Sequence, residues 1–270
     1  KAAAVAAERG HRVTLAEAGR RLGGQVLLAQ EIPGRAEFGG AVTNLQGEAE
    51  RAGVKFLLGT TVDRAVISEL APDVVVMATG ARPRRPELEV MDEPVILTAW
   101  DLFAGAEVPH GHVVVADWRC DWNGLGAAIS LAERGRQVTL GVTGYHAGQR
   151  IQQYVRDHMI AHATRLGVRI TPLVRIIGAD ADSVYFQHVL TDEPVIIDGT
   201  SALVLAQGHL PVDDLLRDLG GLLAERQAEV DGGDVVERRV GADHEHARAV
   251  RHPVEATEAL TVRIARRRTH

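Results

Sequence analysis

Cysteine is almost absent: the 270 residues hold one, Cys120. A single thiol excludes an internal disulfide framework and fits a reducing cytoplasm. Aromatic side chains supply only 4% of the chain against 46% apolar residues in all. The core must therefore be built from Val, Leu, Ala and Ile, as in parallel sheets covered by helices on both faces. No run of about 18 apolar residues is present, so no membrane-spanning helix is expected. Basic residues (30) are outnumbered by acidic ones (36), for a net charge of −6. That balance provides no cationic surface for nucleic acid. Lysine occurs only at Lys1 and Lys55, a usage that says nothing about function.

The N-terminus also lacks something. No signal peptide is visible, and Lys1 to Arg9 reads KAAAVAAER. Those are strong helix formers, with no capping Ser, Thr, Asp or Asn and no preceding strand. The chain opens as if already inside a helix.

What is present is a repeat. Ala7 to Leu15 reads AERGHRVTL and Ala132 to Leu140 reads AERGRQVTL, identical at seven of nine positions and 125 residues apart. In each, an alanine-rich helix stops at a glycine (Gly10, Gly135) and a β-branched strand begins at once. Helix into strand is the second half of a βαβ crossover. Gly53-Val54-Lys55-Phe56 and Gly167-Val168-Arg169-Ile170 then open further strands. Asp73 to Pro83 (DVVVMATGARP) and Ser201 to Pro211 (SALVLAQGHLP) each read as a buried apolar strand ending in Ala-x-Gly, with a proline three residues on. Three matches in one order indicate duplication. The second copy precedes its helix with a strand, His112 to Ala116, and a loop, Asp117 to Leu125. The first copy has no counterpart to either, so it is expected to be truncated by one strand and one glycine-rich phosphate turn.

In a doubly wound α/β fold the nucleotide crosses the carboxyl ends of the strands. Glu17, two residues beyond Leu15, stands where a carboxylate receives the adenosine ribose hydroxyls; the plainer reading is a solvated loop carboxylate. Gly23-Gly24-Gln25 offers either a close backbone approach to a ligand or an ordinary turn. Ala78-Thr79-Gly80 ends a strand at the same edge, and alone would be a strand stop.

In the second copy only the late glycines of the loop, Gly124 and Gly126, survive in DWRCDWNGLG (117–126). Asp117 and Asp121 add negative charge where a pyrophosphate would lie, and Val142 replaces the carboxylate equivalent to Glu17. NAD(P) binding by this copy is accordingly disfavoured. Trp118 and Trp122 either close the cleft by packing, the simpler reading, or form a docking surface or gated plug. Cys120 has no second thiol and reads as an unreactive cysteine. His244 and His246 lack the spacing and third ligand of a metal site, and Arg266 to Arg268 read as a solvated terminus. Gln149 to Leu166 is an amphipathic helix with Ile151, Tyr154, Val155, Met159 and Ile160 on or near its core face. No Ser-His-Asp or paired-carboxylate arrangement is present, so no catalytic residue is assigned.

RVTLAEAGRRLGGQV (12–26), PGRAEFGG (33–40), GVKFLLGTTV (53–62) and VVVMATGARPR (74–84) resemble the C-terminal nucleotide-binding region of NADH:flavin oxidoreductases of the trimethylamine dehydrogenase and 2,4-dienoyl-CoA reductase type. The likeness covers about residues 1–215. The DWRCDW loop and GQRIQQYVRD (148–157) look like the amine-demethylating branch, including N-methylproline demethylase-like proteins. The resemblance implies an FMN-bearing TIM barrel with a [4Fe-4S] cluster preceding this region in a longer protein. It also implies FAD or ADP in the first unit, with Glu17 at the ribose, Gly23, Gly24 and Gln25 near the nucleotide, and Val62 beside adenine. In that family the chain returns to its first domain on an apolar strand ending in Gly-Asp. Residues 221–270 are charged and arginine-rich instead, Gly233-Asp234 is a poor substitute, and this tail reads as divergent or disordered.

The expected architecture is therefore α/β, with two tandem Rossmann-like doubly wound units. Residues 1–86 form an incomplete FAD/ADP-binding domain, 87–215 an inserted NAD(P)-binding-like domain, and 216–270 a divergent tail. The expected function is the nucleotide-binding, electron-transfer part of a flavin-dependent amine dehydrogenase or demethylase. Alternatives are an NAD(P)H-dependent enoyl reductase region, a non-catalytic nucleotide-binding module, or an inactive fragment. Expected partners are the barrel, an electron-acceptor protein and a second copy of the chain.

Overall fold

The computed structural model of the chain describes residues 1–219 and the strand 261–266. The elements run α1 (Ala2–Glu8), β1 (Arg12–Glu17), α2 (Val26–Ala29), α3 (Phe38–Arg51), β2 (Lys55–Leu58), α4 (Arg64–Leu70), β3 (Val74–Ala78) and β4 (Ala81–Pro83). They continue with β5 (Glu89–Val90), β6 (Ile96–Thr98), α5 (Ala99–Phe103), β7 (His112–Asp117), α6 (Trp122–Glu133), β8 (Gln137–Val142), α7 (Gln153–Arg165) and β9 (Arg169–Thr171). Then come β10 (Val174–Ala179), β11 (Ser183–His188), β12 (Pro194–Asp198), β13 (Thr200–Ala206), β14 (His209–Pro211) and β15 (Thr261–Arg266). Two compact units result. Unit 1 takes Lys1–Val26, Val42–Ala81 and the described residues from Pro211 onward; unit 2 takes Leu27–Ala41 and Arg82–Leu210. Leu27–Ala41 falls in unit 2 because Leu28 and Ile32 pack into its core.

Unit 2 is a five-stranded sheet in the order β6-β13-β7-β8-β9, parallel throughout. Its central strand β7 is buried at every position, as a parallel strand covered on both faces must be. One face carries α6, whose Leu125, Ala127, Ala128, Ile129 and Leu131 are buried. The other face is covered by the sheet β12-β11-β10-β5, which brings Phe186 and Val184 against Val114 and Leu205. Gly141 makes room for that layer, since a Cβ there would lie 2.7 Å from the Phe186 ring. The short α5 is fixed at its start by a capping box: Thr98 Oγ1 accepts the Asp101 N–H, and Asp101 accepts the Thr98 N–H.

Unit 1 repeats the plan at smaller scale, in the order β2-β1-β15-β3. Val13 and Leu15 pack with Ala3, Ala4, Ala49 and Val54. Each such Val or Leu contributes about 1.5–3 kcal/mol by leaving water. The duplication extends to single hydrogen bonds. Gly10 (φ +88°) ends α1 with His11 N–H donating to Ala6 O, and Gly135 (φ +78°) ends α6 with Arg136 N–H donating to Leu131 O. Every residue in the second set lies 125 positions after its counterpart. β1 and β8 accordingly occupy like places, each beside a parallel strand supplied by the next crossover.

Four expectations are corrected. The place between β1 and β3, where unit 2 has β7, is filled by β15, which runs antiparallel to both neighbours. Without a strand there, β1 and β3 would leave rows of backbone donors and acceptors unpaired. A strand therefore lies within the tail read as divergent or disordered; His244, His246, Gly233, Asp234, Arg267 and Arg268 lie outside the described residues. β3 is not buried: Val74 is 56% exposed and Val76 is also exposed, because one face of this edge strand is uncovered among the described residues. The loop opening at Asp117 stops at Asp121, since the Asp121 side chain caps α6 and makes Trp122 helical. Tyr154, placed on the core face of the amphipathic helix, is 79% exposed, while Ile151, Met159 and Ala163 are buried.

Candidate functional site

The carboxyl edge of the unit 1 sheet is built by the ends of β1, β2 and β3. Alternation puts Glu17 on the same face of β1 as Val13 and Leu15, so the carboxylate is carried inward. It is only 4% exposed. Its Oε1 accepts the Gly19 N–H at 2.7 Å, whereas its Oε2 is buried with no hydrogen-bond partner among the described residues. Burial raises the Glu17 pKa above the ordinary carboxylate value, and the Gly19 amide opposes that in part. The main chain here is fastened to the loop after β2, with Thr60 N–H donating to Glu17 O at 2.9 Å and Gly59 N–H to Gly19 O at 2.8 Å.

A cavity of about 300 Å³ opens at this edge. Ala16 and Ala18, on either side of Glu17, line it together with Thr60, Thr61, Val62 and Thr79. Asp63, Asp214 and Asp218 also face it. Asp63 is tied down as the cap of α4, accepting the Val66 N–H at 2.9 Å. The Thr79 hydroxyl donates to Val212 O, and the Val212 N–H returns to Gly80 O at 3.0 Å. Gly80 has φ +69°, a conformation that suits glycine.

The structure thus gathers Val62 and Thr79 around one cavity, with Glu17 between two of its lining residues and Ala78 ending the strand that carries Thr79. Gly23 (φ +127°) and Gly24 (φ +49°) form a turn instead of lining the cavity. Gln25 hydrogen-bonds the carbonyl of Ala81, next to Gly80, at 3.0 Å. Sequence reasoning missed Ala16, Ala18, Thr60, Thr61 and Asp63. The run Thr-Thr-x-Asp before a helix was the available signal, because such residues cap and turn. Asp214 and Asp218, on a helical turn after the chain re-enters unit 1, had none.

The corresponding edge of unit 2 is closed. Asp117 ends β7 and is 2% exposed; its Oδ1 accepts the Cys120 N–H at 2.8 Å, and its Oδ2 is buried without a partner among the described residues. Burial and the nearby Asp121 raise the Asp117 pKa well above the carboxylate range. Cys120 has φ +54° and is buried; its Sγ accepts the Gly144 N–H at 3.3 Å. Burial first, and Asp117 second, push its thiol pKa up, the opposite of a nucleophile's environment. Trp122 packs against the core with the Arg35 guanidinium 3.3 Å above its ring. Trp118 stays 49% exposed under Arg84. Val142, 125 positions after Glu17, is fully buried. Among the described residues no cluster of His, Cys, Asp or Glu could hold a metal, and no helix is long and apolar enough to cross a membrane.

Comparison with known proteins gives a match to the pyridine nucleotide-disulphide oxidoreductase family model over residues 1–233. The N,N-dimethylglycine/sarcosine dehydrogenase of Chromohalobacter salexigens is 40% identical over 146 residues, 52% of this chain and 21% of that protein. The probable N-methylproline demethylase of Rhizobium meliloti is 36% identical over 140 residues, 52% of this chain and 20% of that one. The solved structure of a 2-naphthoyl-CoA reductase complex superimposes with a TM-score of 0.72 at 26% identity, covering 81% of this chain and 32% of its own. The chain spans about a fifth of the length of those curated relatives.

Proposed function

The chain belongs to the pyridine nucleotide-disulphide oxidoreductase family, and on that premise we propose that unit 1 binds the adenosine end of FAD or ADP within a flavin-dependent amine dehydrogenase or demethylase. The observation that carries the first part is Glu17. A buried carboxylate with one oxygen unpaired is costly unless a donor meets it. A ribose diol supplies such donors, so the residues present fit an adenosine nucleotide. Glu17 would hold the ribose hydroxyls, while Ala16, Ala18 and Val62 form the apolar wall for the purine. The Gly23–Gln25 turn is tied through Gln25 to the Ala81 carbonyl, beside the Thr79–Gly80 bend. FAD, where bound, supplies a carrier for one or two electrons. The chain's own residues bind and orient it, and none is assigned a proton transfer.

The second part rests on the amine-oxidising relatives. In a longer protein an FMN-bearing barrel with an iron–sulfur cluster would remove a hydride equivalent from a C–H bond next to nitrogen. An electron-acceptor protein would then take the electrons, and a second copy of the chain is a further partner. The likeness to 2-naphthoyl-CoA reductase favours a second reading, a reductase region fed by NAD(P)H; the closed edge of unit 2 weighs against it.

Calorimetric titration of the folded chain with ADP and with FAD tests the first part. One saturable ADP site, weakened in Glu17→Gln, is expected. Absence of ADP binding by the folded chain would overturn it.

A further inference from the structure

The loop between β7 and α6 occupies the place where a doubly wound fold presents backbone amides and a helix N-terminus to a dinucleotide's phosphates. Here two of those amides are already in use. The Cys120 amide points at Asp117 Oδ1 at 2.8 Å. The amide of Asn123, in the first turn of α6, points at Asp121 Oδ1 at 3.0 Å. Asp121 Oδ2 takes Arg119 Nε at 2.9 Å, so the loop's cation is engaged as well. Asp117 is also wedged against the helix: a Cβ on Gly124 would sit 2.2 Å from its Cγ and Oδ2.

The loop is held from the outside too. Trp118 N–H donates to Ala206 O at 3.2 Å, Thr143 Oγ1 donates to Trp118 O at 2.8 Å, and Arg150 N–H donates to Cys120 O at 3.0 Å. β13, the residue after β8 and the segment before α7 each fasten it. That anchoring describes a fixed structure rather than a gate.

We propose that Asp117 and Asp121 are the built-in ligands of this helix terminus, and that they exclude dinucleotides from unit 2 by satisfying the amides and the arginine an incoming pyrophosphate would need. The fold of a nucleotide site is retained while its binding role is filled internally. A free anion must displace two carboxyl groups that belong to the chain. The exclusion therefore comes from the two acids, and the tryptophans on either side of the loop only cover it. This inference is independent of adenosine binding in unit 1.

Amide NMR of the full chain separates the two sites, with inorganic pyrophosphate and NADH as probes. In the unaltered chain the Cys120 and Asn123 resonances should not shift saturably with either probe. In Asp117→Ser/Asp121→Gly they should, with apparent affinity at least about tenfold higher, which is about 1.4 kcal/mol. Glycine is tolerated at a helix cap and carries no acceptor, so the Asn123 amide and Arg119 are both released. Should the double variant fail to fold, Asp121→Gly alone is expected to fold and to show a weaker saturable shift at Asn123. Saturable shifts in the unaltered chain would overturn the proposal. So would a folded variant whose loop amides still ignore both probes, since the block would then be the bulk of Trp118 and Arg119. Shifts confined to Thr60–Val62 report NADH's adenosine end in unit 1 and leave the loop closed, as expected.

Discussion

Glu17→Gln should make unit 1 more stable and a poorer nucleotide binder. The wild-type carboxylate is buried, with one oxygen paired to Gly19 N–H and the other unpaired. Leaving a buried polar group unsatisfied costs about 1–3 kcal/mol, more for a charged one. Glutamine keeps the shape and the acceptor for Gly19 but leaves its amide nitrogen unpaired, so only the charge penalty is relieved, about 1 kcal/mol. The sign follows from the raised pKa. Below the ordinary value of 4.5 the group is protonated in both the folded and unfolded chain, and no penalty exists. As pH rises from 4.5 through the folded value, the unfolded chain ionises first and stability is lost. The variant should therefore match the wild type near pH 4 and exceed it at pH 7. The tryptophans, Trp100, Trp118 and Trp122, all lie in unit 2 and are blind to this. Amide hydrogen exchange at Val13 to Glu17 is the suitable probe, with exchange about fivefold slower at pH 7. ADP affinity should fall about 10- to 100-fold, the worth of a hydrogen bond to a charged group. A variant that exchanges faster at pH 7, or binds ADP unchanged, would show that Glu17 is simply an anchor for Gly19.

Further outcomes follow from other residues. His112 is buried with Nε2 2.8 Å from Thr139 Oγ1, and burial, with Arg169 nearby, lowers its pKa below 6.5. Its contribution to unit 2 is present above pH 6.5 and lost as pH falls from there through the folded value; urea denaturation followed by tryptophan fluorescence should show this, and His112→Gln should flatten it. Gly126→Ala places a Cβ 2.6 Å from Ile32 Cγ2. Overpacking costs about 1–3 kcal/mol, so the same denaturation should register a loss, and that loss should shrink in an Ile32→Ala background, which lacks the Cγ2 methyl. Ending the chain at residue 260 removes β15, which unpairs β3 and leaves β1 paired only with β2; hydrogen exchange in Val74–Ala78, and to a smaller extent in Arg12–Glu17, should accelerate, with unit 2 unaffected.

The doubly wound plan was legible because its signals are local. An alanine-rich helix, a glycine able to take positive φ and a β-branched run sit side by side in the chain, so Gly10 and Gly135 announced the same crossover twice. The place of Glu17 at the end of β1 was legible for a related reason, since it follows Leu15 by two residues in the same strand. The Asp117–Trp122 loop was readable as altered because glycines are replaced by side chains that cannot be overlooked. What escaped depends on partners remote in sequence. Nothing in RIAR reveals that it pairs between β1 and β3, and an apolar VVVM reads as buried whether or not a helix covers it. The packing of Ile32 against Gly126 is a match of shape across 94 positions, which no local pattern encodes. Asp214 and Asp218 reach the cavity only because the chain returns to unit 1 at Pro211.

The most direct test is a crystal structure of the chain grown with ADP. Density for the ribose within hydrogen-bonding distance of Glu17 Oε2, and for the purine against Val62, is the predicted result. ADP seated instead at the N-terminus of α6, among Asp117, Arg119 and Asp121, would contradict both the open site in unit 1 and the closed one in unit 2.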